Sequence, residues 1–517
     1  MKKNIIVVLA AFVSTLAFAQ TEYDAFKLTQ TDLSGSARYM GMGGAFGALG
    51  GDATALKDNP AGLGVYRGSE IAGTLNTMIQ NTGSVWSGMT SKEDMLKVNL
   101  NSFSYVLAMP SWSEKNSGLM SSNFSFTFNR LRNFNRKVSA ASPGSDNSFT
   151  DFLAAFSKRY SEADLQENST IKDPYENPDN AWLSVLGYQN YLINPQEGNT
   201  WSSILDEGET VAPSTYLFET GALSEYGFGW GGNFNNNLFI GANVNMQDLS
   251  YNLHSTIAED FAKGGYFDLT SAMSQTGVGF NLKLGAIYLP TNNLRLGVSF
   301  HTPTFYSISE YTNVLNFKTS EINDSYLPLQ GYSHDYKITG PLQAQASAAY
   351  LFGKKGLISV EYDYVNYPGM RLGLENGDTQ YYKDENQNMP NVYKAGQTLK
   401  VGAEYKLSPS FALRAGYALM KSANQTDYAQ GKSLKLNSAN TNTEYFNQMD
   451  TRYLTFGAGY RAAGWFIDFA YAQKMLDEDM YPYQILRYQN NRITNIVTPA
   501  AVNTKNNNIV VTLGIKL

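Results

Sequence analysis

Apolar and polar residues alternate along much of this chain. In the last ten residues, one face carries Ile509, Val511, Leu513, Ile515 and Leu517, and the other carries Asn508, Val510, Thr512, Gly514 and Lys516. A period of two is typical of a β-strand with one apolar face, because successive side chains point to opposite sides. The same alternation recurs at 124–128, 278–288, 294–301, 358–364 and 399–407. The pattern predicts an all-β protein whose strands bury one face against a core or against lipid.

The connections between these predicted strands separate a sandwich from a barrel. Short connections at 290–293, 353–356, 408–410 and 461–464 alternate with long polar ones at 306–339, 368–396, 421–449 and 475–505. A sandwich has no reason to place every long loop at one end. Outer-membrane barrels combine tight periplasmic turns with large external loops. The pattern therefore favours a barrel, with the sandwich as the alternative.

Counting the alternating segments predicts fourteen spans. These are 70–81, 99–110, 121–130, 219–233, 238–253, 273–289, 293–305, 340–352, 356–367, 397–407, 410–420, 450–461, 464–474 and 506–517. Most are long enough to cross a bilayer at a tilt, and an even number returns the C-terminus to the periplasm. The predicted fold class is therefore all-β, a 14-stranded antiparallel transmembrane β-barrel formed by residues 68–517.

Two regions lack the alternation of a barrel wall. Residues 20–67 are rich in Gly, and residues 131–218 form the longest connection, predicted to be external and partly helical. Within it, an apolar helical stripe comprises Phe149, Phe152, Leu153, Phe156 and Tyr160, with Ser148 as a candidate N-cap. A second helical stretch, 181–193, carries Trp182, Val185, Leu186, Tyr188 and Ile193.

Two interpretations of these helices stay open. They either pack on each other and cap the barrel, or they rim an apolar groove for a hydrophobic ligand. In the second case the candidate ligand-binding residues are Phe149, Phe152, Phe156, Trp182 and Leu186.

The first twenty residues resemble an export signal. Lys2 and Lys3 precede an apolar run, and Ala17-Phe18-Ala19 places small residues at the cleavage-determining positions. A signal peptide over 1–19 and a location in the outer membrane of a Gram-negative cell are predicted, with an uncleaved N-terminal anchor as the alternative. No later stretch has the run of apolar residues that a transmembrane helix needs.

The composition excludes several classes of function. The chain has no Cys among 517 residues, which excludes disulfides, thiolate metal sites and a cysteine nucleophile. A net charge of −6 argues against nucleic acid as a partner. A mean hydropathy of −0.31 is compatible with a barrel, whose lumen and loops are polar. With three His and no diagnostic spacing of acidic residues, we expect no enzyme activity, catalytic residue, cofactor or metal site.

The Gly-rich N-terminal region contains a distinctive motif. The run 41–47, Gly-Met-Gly-Gly-Ala-Phe-Gly, superficially matches a dinucleotide fingerprint but has the wrong Gly spacing and follows no buried strand. Together with Ser36-Ala37-Arg38, Asp52-Ala53 and Asn59-Pro60-Ala61-Gly62-Leu63, it resembles the N-terminal hatch of the FadL/OmpP1/TodX family. A later segment, residues 300–306, resembles a signature near that family's seventh strand.

This resemblance implies a fourteen-stranded barrel plugged by its N-terminal hatch, residues 20–67. The hatch residues that it assigns are Gly41, Gly43, Gly44, Asp52, Asn59, Pro60, Ala61 and Gly62. It also implies a lateral exit at a kink in the third strand, yet 123–130 contains neither Gly nor Pro. That departure puts the lateral route in doubt.

The resulting hypothesis is passive uptake of hydrophobic compounds, long-chain fatty acids or aromatic hydrocarbons, with release through hatch movement. Expected partners are these small molecules, outer-membrane lipid and lipopolysaccharide, and we expect a monomer. Two alternatives remain. The first is a FadL-like barrel that serves type IX protein secretion, and the second is haem uptake through His254, His301 or His334.

Overall fold

The computed structural model describes residues 21–110, 117–198, 200–425, 439–483, 486–487, 493–495 and 497–517. The predicted signal peptide lies outside these residues. The strands are β1 Glu70–Trp86, β2 Met89–Pro110, β3 Leu119–Asn133, β4 Arg136–Ala141, β5 Ile193–Gln196, β6 Thr200–Ser203, β7 Val211–Phe234, β8 Leu238–Phe261, β9 Tyr266–Tyr288, β10 Leu294–His301 and β11 Phe305–Thr319. They continue with β12 Tyr332–Thr339, β13 Gln343–Leu351, β14 Gly356–Val365, β15 Arg371–Leu374, β16 Gly396–Lys406, β17 Phe411–Met420, β18 Tyr445–Arg461, β19 Trp465–Tyr481, β20 Leu486–Arg487, β21 Ile493–Asn495 and β22 Ala500–Lys516.

Five α-helices accompany the strands. They are α1 Glu22–Thr29, α2 Ala37–Gly41, α3 Phe149–Phe156, α4 Trp182–Gln189 and α5 Lys383–Val392. Short 3-10 helices lie at Ala53–Lys57, Pro60–Val65, Ser157–Arg159, Glu162–Asp164 and Tyr367–Gly369. Among the described residues, none of the helices is long and apolar enough to cross a membrane.

The strands form a closed antiparallel barrel of 14 spans. The ring closes where β1 pairs with β22, from Glu70 opposite Lys516 to Val85 opposite Ala501. The pairs β3 with β4, β10 with β11, β12 with β13, and β14 with β15 each make up one interrupted span. All fourteen predicted spans are therefore confirmed.

The spans extend well beyond the predicted ones at the long-loop end. Much of 306–339 is strand β11 and strand β12, and 475–505 contributes the ends of β19 and β22. The connection predicted at 131–218 likewise begins with the end of β3 and with β4 and ends inside β7, so the segment between the wall strands β4 and β7 is 142–210. The predicted loops are longer than the observed ones because the outer ends of the strands no longer have an apolar outward face. The alternation that identifies a lipid-facing strand is therefore lost there.

Strand β8 shows this change of phase. Between 238 and 246, the exposed residues are apolar, with Val244 60% exposed, and the inward residues after Phe239 are Gly241, Asn243 and Asn245. From 248 onward most outward residues are polar, beginning with Asp248, and most inward ones are apolar, beginning with Leu249. About nine residues with an apolar outer face are enough to cross the hydrocarbon core at a tilt. Beyond that level the barrel is built like a water-soluble protein, with its apolar side chains inside.

The wall is discontinuous between the second and third spans. Strands β2 and β3 pair only from Ser102 opposite Asn129 to Pro110 opposite Ser121. In the described part of the chain, residues 89–100 pair with β1 alone. Residues 123–130 form a regular strand as predicted, but the register shifts at Arg130, just where pairing with β2 ends.

The N-terminal segment 21–67 is packed inside the barrel. Its α2 helix lies against β17, β18, β19 and β22, and the 3-10 helix Pro60–Val65 lies against β7, β8 and β9. An apolar cluster surrounds α2, including Tyr39, Met40 and Phe46 from the hatch and Tyr453 from the wall. Near the outer end, α1 contributes Phe26 and Leu28 to a second cluster made by the inward faces of the strand extensions.

Candidate functional site

Asn59 fastens the hatch to the wall. Its side-chain amide donates to the carbonyl of Gly47 at 2.7 Å, and to those of Ala286 and Val298 at 3.3 Å each. Its side-chain oxygen accepts from the Ala61 amide at 3.0 Å and so caps the following 3-10 helix, in which Pro60 comes first. A residue that caps a turn and also bonds two wall strands has more than the role of a simple turn former.

Wall glycines make room for the hatch backbone. A Cβ at Gly285 would overlap the side-chain oxygen of Asn59, and one at Gly241 would overlap the Pro60 carbonyl. The same holds at three further positions, where a Cβ would overlap Gly47, Met42 or Gly43: Gly297, Gly402 and Gly416. The hatch therefore approaches the wall backbone to backbone, which a larger wall residue would prevent.

The other predicted hatch residues also lie at close approaches. A Cβ at Gly41 would be 3.2 Å from the Cα of Gly457, and one at Gly62 would be 3.1 Å from the Cα of Gly50. Gly43 and Gly44 have positive φ angles of 62° and 77°, which favour glycine. Asp52 accepts from Ser36 Oγ at 2.6 Å and from the Thr54 amide at 3.0 Å. Ala61 is fully buried. The structure thus brings these residues into one plug, and their functional role stays a prediction.

Three ion pairs connect the hatch to the wall. Lys27 contacts Glu219 at 2.5 Å, Asp32 contacts Lys474 at 2.5 Å, and Arg38 contacts Glu404 at 3.2 Å. Glu361 adds a carboxylate that accepts from the Phe46 and Gly47 amides at 3.1 and 2.6 Å. Most of these charges are buried, so breaking a pair would leave an uncompensated charge in the lumen.

A cavity of about 130 Å³ lies beside the hatch. Apolar and aromatic side chains form part of its lining: Phe26, Leu33, Tyr39, Val365, Tyr367, Ala418, Met420, Tyr453 and Leu476. Charged groups form another part, beside neutral polar side chains: Asp32, Lys57, Asp58, Arg132, Asp363, Lys400, Lys421 and Lys474. The lining is therefore amphipathic.

A second, smaller cavity of about 40 Å³ lies toward the gap between β2 and β3. It reaches Asn101 and Arg130, and Arg130 Nε donates to the Leu100 carbonyl at 3.3 Å across that gap. Both cavities are lined by Asp32, Leu33, Tyr453 and Lys474. The Asp32–Lys474 pair therefore stands between the larger cavity and the discontinuity in the wall.

The charge of Asp32 is held firmly. Burial would raise the pKa of this carboxyl, but Lys474 and Arg132 outweigh burial and keep the pKa below its ordinary value. Tyr453 Oη also donates to Asp32 at 3.1 Å. Asp32 is thus ionised, and paired with Lys474, at neutral pH.

The candidate ligand-binding residues of the external loop lie in a packed cluster. Ser148 caps α3 as predicted, by accepting from the Thr150 amide. Phe149, Phe152 and Leu186 are at most 1% exposed, and Phe156 and Trp182 are 4% and 5% exposed. With α3 and α4 they pack against each other and against the outer ends of β8, β9 and β11. The helices therefore cap the barrel, and a contact with ligand stays a prediction.

The three histidines have separate surroundings. His301 lines the larger cavity and contacts the Asp58 carbonyl through Nε2 at 2.7 Å. His334 lies between the rings of Tyr332 and Tyr336, and His254 is exposed on the outer face of β8. Within the described ranges, no group of three or more His, Asp or Glu side chains is arranged to hold a metal ion.

Sequence reasoning missed the wall residues that complete this site. Gly285, Glu361, Glu404 and Lys474 were assigned only to strands, because their partners in the hatch are hundreds of residues away. One signal was present: Gly and charged residues interrupt the inward face of strands whose outward face is continuously apolar.

Comparison with known proteins shows which solved structures share this fold. No protein-family model and no curated protein matches the chain. Among solved structures, a Pseudomonas aeruginosa FadL homologue aligns with a TM-score of 0.55 at 11% identity, covering 94% of this chain and 99% of that one. A deletion mutant of the TodX monoaromatic hydrocarbon channel, deltaS2, aligns with a TM-score of 0.53 at 14% identity, covering 94% of this chain and 100% of that one. The TodX deltaS2S3 mutant gives 0.51 at 14% identity, over 94% and 99% of the two chains. The chain therefore has the fold of the FadL-type channels, a fourteen-stranded barrel filled by an N-terminal hatch.

Proposed function

We propose that this protein is an outer-membrane channel for the passive uptake of hydrophobic compounds. The observation that carries the proposal is the amphipathic cavity beside the hatch, which shares Asp32, Leu33, Tyr453 and Lys474 with a second cavity at the β2–β3 gap. The solved proteins with this fold include channels for monoaromatic hydrocarbons, which supports the same class of ligand.

The proposed route runs from the larger cavity past Asp32 and leaves through the wall. Burying a chain of about sixteen carbons gains on the order of 10 kcal/mol, at about 0.8 kcal/mol per CH₂. Release into water would have to return this free energy, whereas lateral release into lipid would not. The apolar outer face beside the gap, where Leu96 and Val98 are 64% and 63% exposed, supports lateral exit.

Movement of the hatch is the step that opens this route. The hatch is held by ion pairs, by side-chain hydrogen bonds such as those of Asn59, and by apolar packing around α2, and in the described residues no strand pairs it with the wall. A ligand that binds a displaced state of the hatch better can therefore shift its position. Long-chain fatty acids and monoaromatic hydrocarbons are the two proposed ligand types.

The test is ligand binding with a cavity-filling variant. Ala418 lines the larger cavity, whereas Ala415 of the same strand faces outward. Purified protein would be titrated with oleate and with toluene, and the binding heat measured. We expect saturable binding in the parent protein and in the matched control Ala415→Trp, and none in Ala418→Trp. Absence of binding in the parent protein would overturn the proposal and favour the secretion-associated alternative.

A further inference from the structure

Polar side chains line the lumen along the seam where β1 and β22 close the barrel. Thr74, Asn76 and Gln80 of β1 face inward, and each is hydrogen-bonded to a buried or half-buried residue of β22. The three bonds are Thr74 Oγ1 with Thr512 Oγ1 at 2.8 Å, Asn76 Nδ2 to Asn508 Oδ1 at 2.9 Å, and Gln80 Nε2 to Asn506 Oδ1 at 3.1 Å. About ten residues of a tilted strand cross the hydrocarbon core, so 70–80 of β1 carry this polar lining through the depth of the membrane.

Two small cavities lie along this seam, between the wall and the hatch. The second cavity, of about 40 Å³, is lined by Asn76 and Asn508. A third cavity, of about 20 Å³, is lined by Thr74 and Thr512, nearer to the short turns. Each is large enough to hold at least one water molecule, which needs about 10–15 Å³.

The larger cavity and the third cavity lie at the two ends of this row. The larger cavity reaches Lys421 and Met449 at the outer ends of β17 and β18, where the Lys421 side chain is 55% exposed and Met449 is 47% exposed. The third cavity reaches Glu70 and Arg461, the first residue of β1 and the last of β18, beside the short turns. Since the larger and second cavities share four lining residues, the three cavities follow one another from the outer surface to the short-turn end of the barrel.

The lining of the two small cavities is suited to water. Asn76 Oδ1 and Asp468 Oδ2 are buried atoms of the second and third cavities, and within the described residues neither has a hydrogen-bond partner. Buried polar atoms of this kind are normally bonded to water. Charges of both signs line the third cavity, so it favours neither anions nor cations: Arg38, Asp52, Glu70, Arg461 and Asp468.

A hydrogen-bonded constriction separates the second cavity from the third. Asn101 Oδ1 accepts from Ser34 Oγ at 2.8 Å, and Asn101 Nδ2 donates to the Gly35 carbonyl at 2.6 Å. Ser34 and Asn101 line the second cavity, whereas Ser36 and Ser102 line the third. The two cavities are therefore adjacent, and the side chain of Asn101 lies at their boundary.

We propose that this protein also conducts water across the membrane, through the larger, second and third cavities and past the side chain of Asn101. Rotation of this amide breaks two hydrogen bonds and leaves the ion pairs between hatch and wall intact. The path lets water leave the larger cavity when a hydrophobic ligand enters it. The inference rests on the membrane location in the proposed function and not on the identity of the ligand.

The test is the osmotic water permeability of proteoliposomes that contain the full chain, measured by stopped-flow light scattering. We expect the parent protein to shrink the vesicles faster than empty liposomes shrink. Ala72→Leu fills the third cavity, and Asn76→Leu makes the lining of the second cavity apolar, so each should lose the protein-dependent permeability. The matched control Ala415→Leu adds the same side chain on the outward face of β17 and should conduct like the parent protein. Asn101→Ala removes the constriction and should raise the permeability.

Two results would overturn the inference. The first is a parent protein that conducts no more water than empty liposomes, and the second is unchanged permeability in both Ala72→Leu and Asn76→Leu. Calcein trapped in the same vesicles should be retained by every variant, and its release from Asn101→Ala vesicles would count against a water-sized path.

Titration of the same preparations with oleate and toluene keeps this inference distinct from the proposed function. Ligand binding without water permeability would overturn the water path alone. Water permeability without ligand binding would support the water path and overturn the proposed function alone.

Discussion

The side-chain oxygen of Asn59 occupies the space over Gly285 that a Cβ would need. One residue belongs to the hatch and the other to β9, 226 positions further along the chain. The same asparagine bonds the neighbouring wall carbonyls of Ala286 and Val298. The hatch therefore docks where the wall residue, Gly285, has no side chain and where the hatch residue, Asn59, makes several hydrogen bonds.

Adding one methyl group to the wall should loosen the hatch. We expect Gly285→Ala to weaken hatch docking by about 1–3 kcal/mol, since the new Cβ overlaps Asn59 and over-packed sites relax at about that cost. Hydrogen exchange of residues 41–62 is the measurement. The control is Gly73→Ala on β1, where a Cβ meets nothing within 4 Å. Equal protection in the two variants would contradict the packing argument.

The two functions of Asn59 can be separated. Asn59→Ser keeps an oxygen to cap the 3-10 helix but loses the donors to three carbonyls, so hatch protection should fall by about 1–3 kcal/mol. Asn59→Ala should lose about 1 kcal/mol more, because the cap is also removed. Hydrogen exchange at Ala61 and Gly62 reports the cap. If Asn59→Ser protects the hatch as the parent protein does, the amide bonds to the wall are unimportant.

The Asp32–Lys474 pair should restrict flux. Asp32→Asn removes the carboxylate that holds the segment between the two cavities, so we expect faster ligand entry into proteoliposomes. The control Asp206→Asn breaks the exposed pair with Lys263 at 2.7 Å, where the side chains are 70% and 59% exposed, and should leave flux unchanged. Unchanged or slower flux in Asp32→Asn would count against a gate at this position.

The lowered pKa of Asp32 also predicts how the effect of this pair depends on pH. Because the pKa of Asp32 lies below its ordinary value, its stabilising contribution is fully present above that ordinary value and is lost as the pH falls through the lowered one. The restriction that this pair imposes, measured as the ratio of flux in Asp32→Asn to flux in the parent protein, should therefore be constant between about pH 8 and about pH 5. A change in flux within this window that Asp32→Asn abolishes would show that the carboxyl titrates there.

The docking of helix α1 should depend on pH in the opposite direction, and weaken as the pH rises. Burial raises the pKa of Glu22 to about 7, against the hydrogen bond from Asn388 of α5 at 2.8 Å. The docked helix favours the protonated carboxyl, so its docking is strongest below the ordinary pKa and weakens as the pH rises through about 7. Hydrogen exchange of residues 21–29, corrected for intrinsic rates, should show less protection at about pH 8.5 than at about pH 6. Glu22→Gln should show the same protection at both pH values; a persistent difference would assign the effect elsewhere.

The number and order of the spans could be predicted from the sequence because lipid imposes one phase on every strand. In β8 that phase holds from Leu238 to Met246, and it inverts after Gln247. Beyond the inversion the outer face meets water and the inner face meets the apolar cap, so lipid-facing alternation no longer marks the strand; the predicted span stops at 253, whereas β8 continues to Phe261. The outer strand extensions were therefore predicted as loops.

The site was predictable only on the hatch side. Asn59 and the glycines around it are close together in the sequence. Gly285, Glu361 and Lys474 are far from them in the sequence, and only the pairing of the barrel strands places them next to the hatch. The gap beside β2 could not be predicted from Gly or Pro in the third span, because it arises where pairing ends at Ser102 and Asn129.

Locking the hatch tests the central claim most directly. A Cβ at Gly41 would lie 3.7 Å from that of Ala470 on β19, a separation suited to a disulfide, and the chain has no other Cys. Gly41→Cys/Ala470→Cys would be reconstituted in liposomes, and uptake of oleate and toluene measured in the oxidised and reduced states, with each single variant as a control. We expect uptake by the reduced protein and both controls, and none by the oxidised double variant. Equal uptake in the two redox states, or uptake no greater than in empty liposomes, would contradict the account.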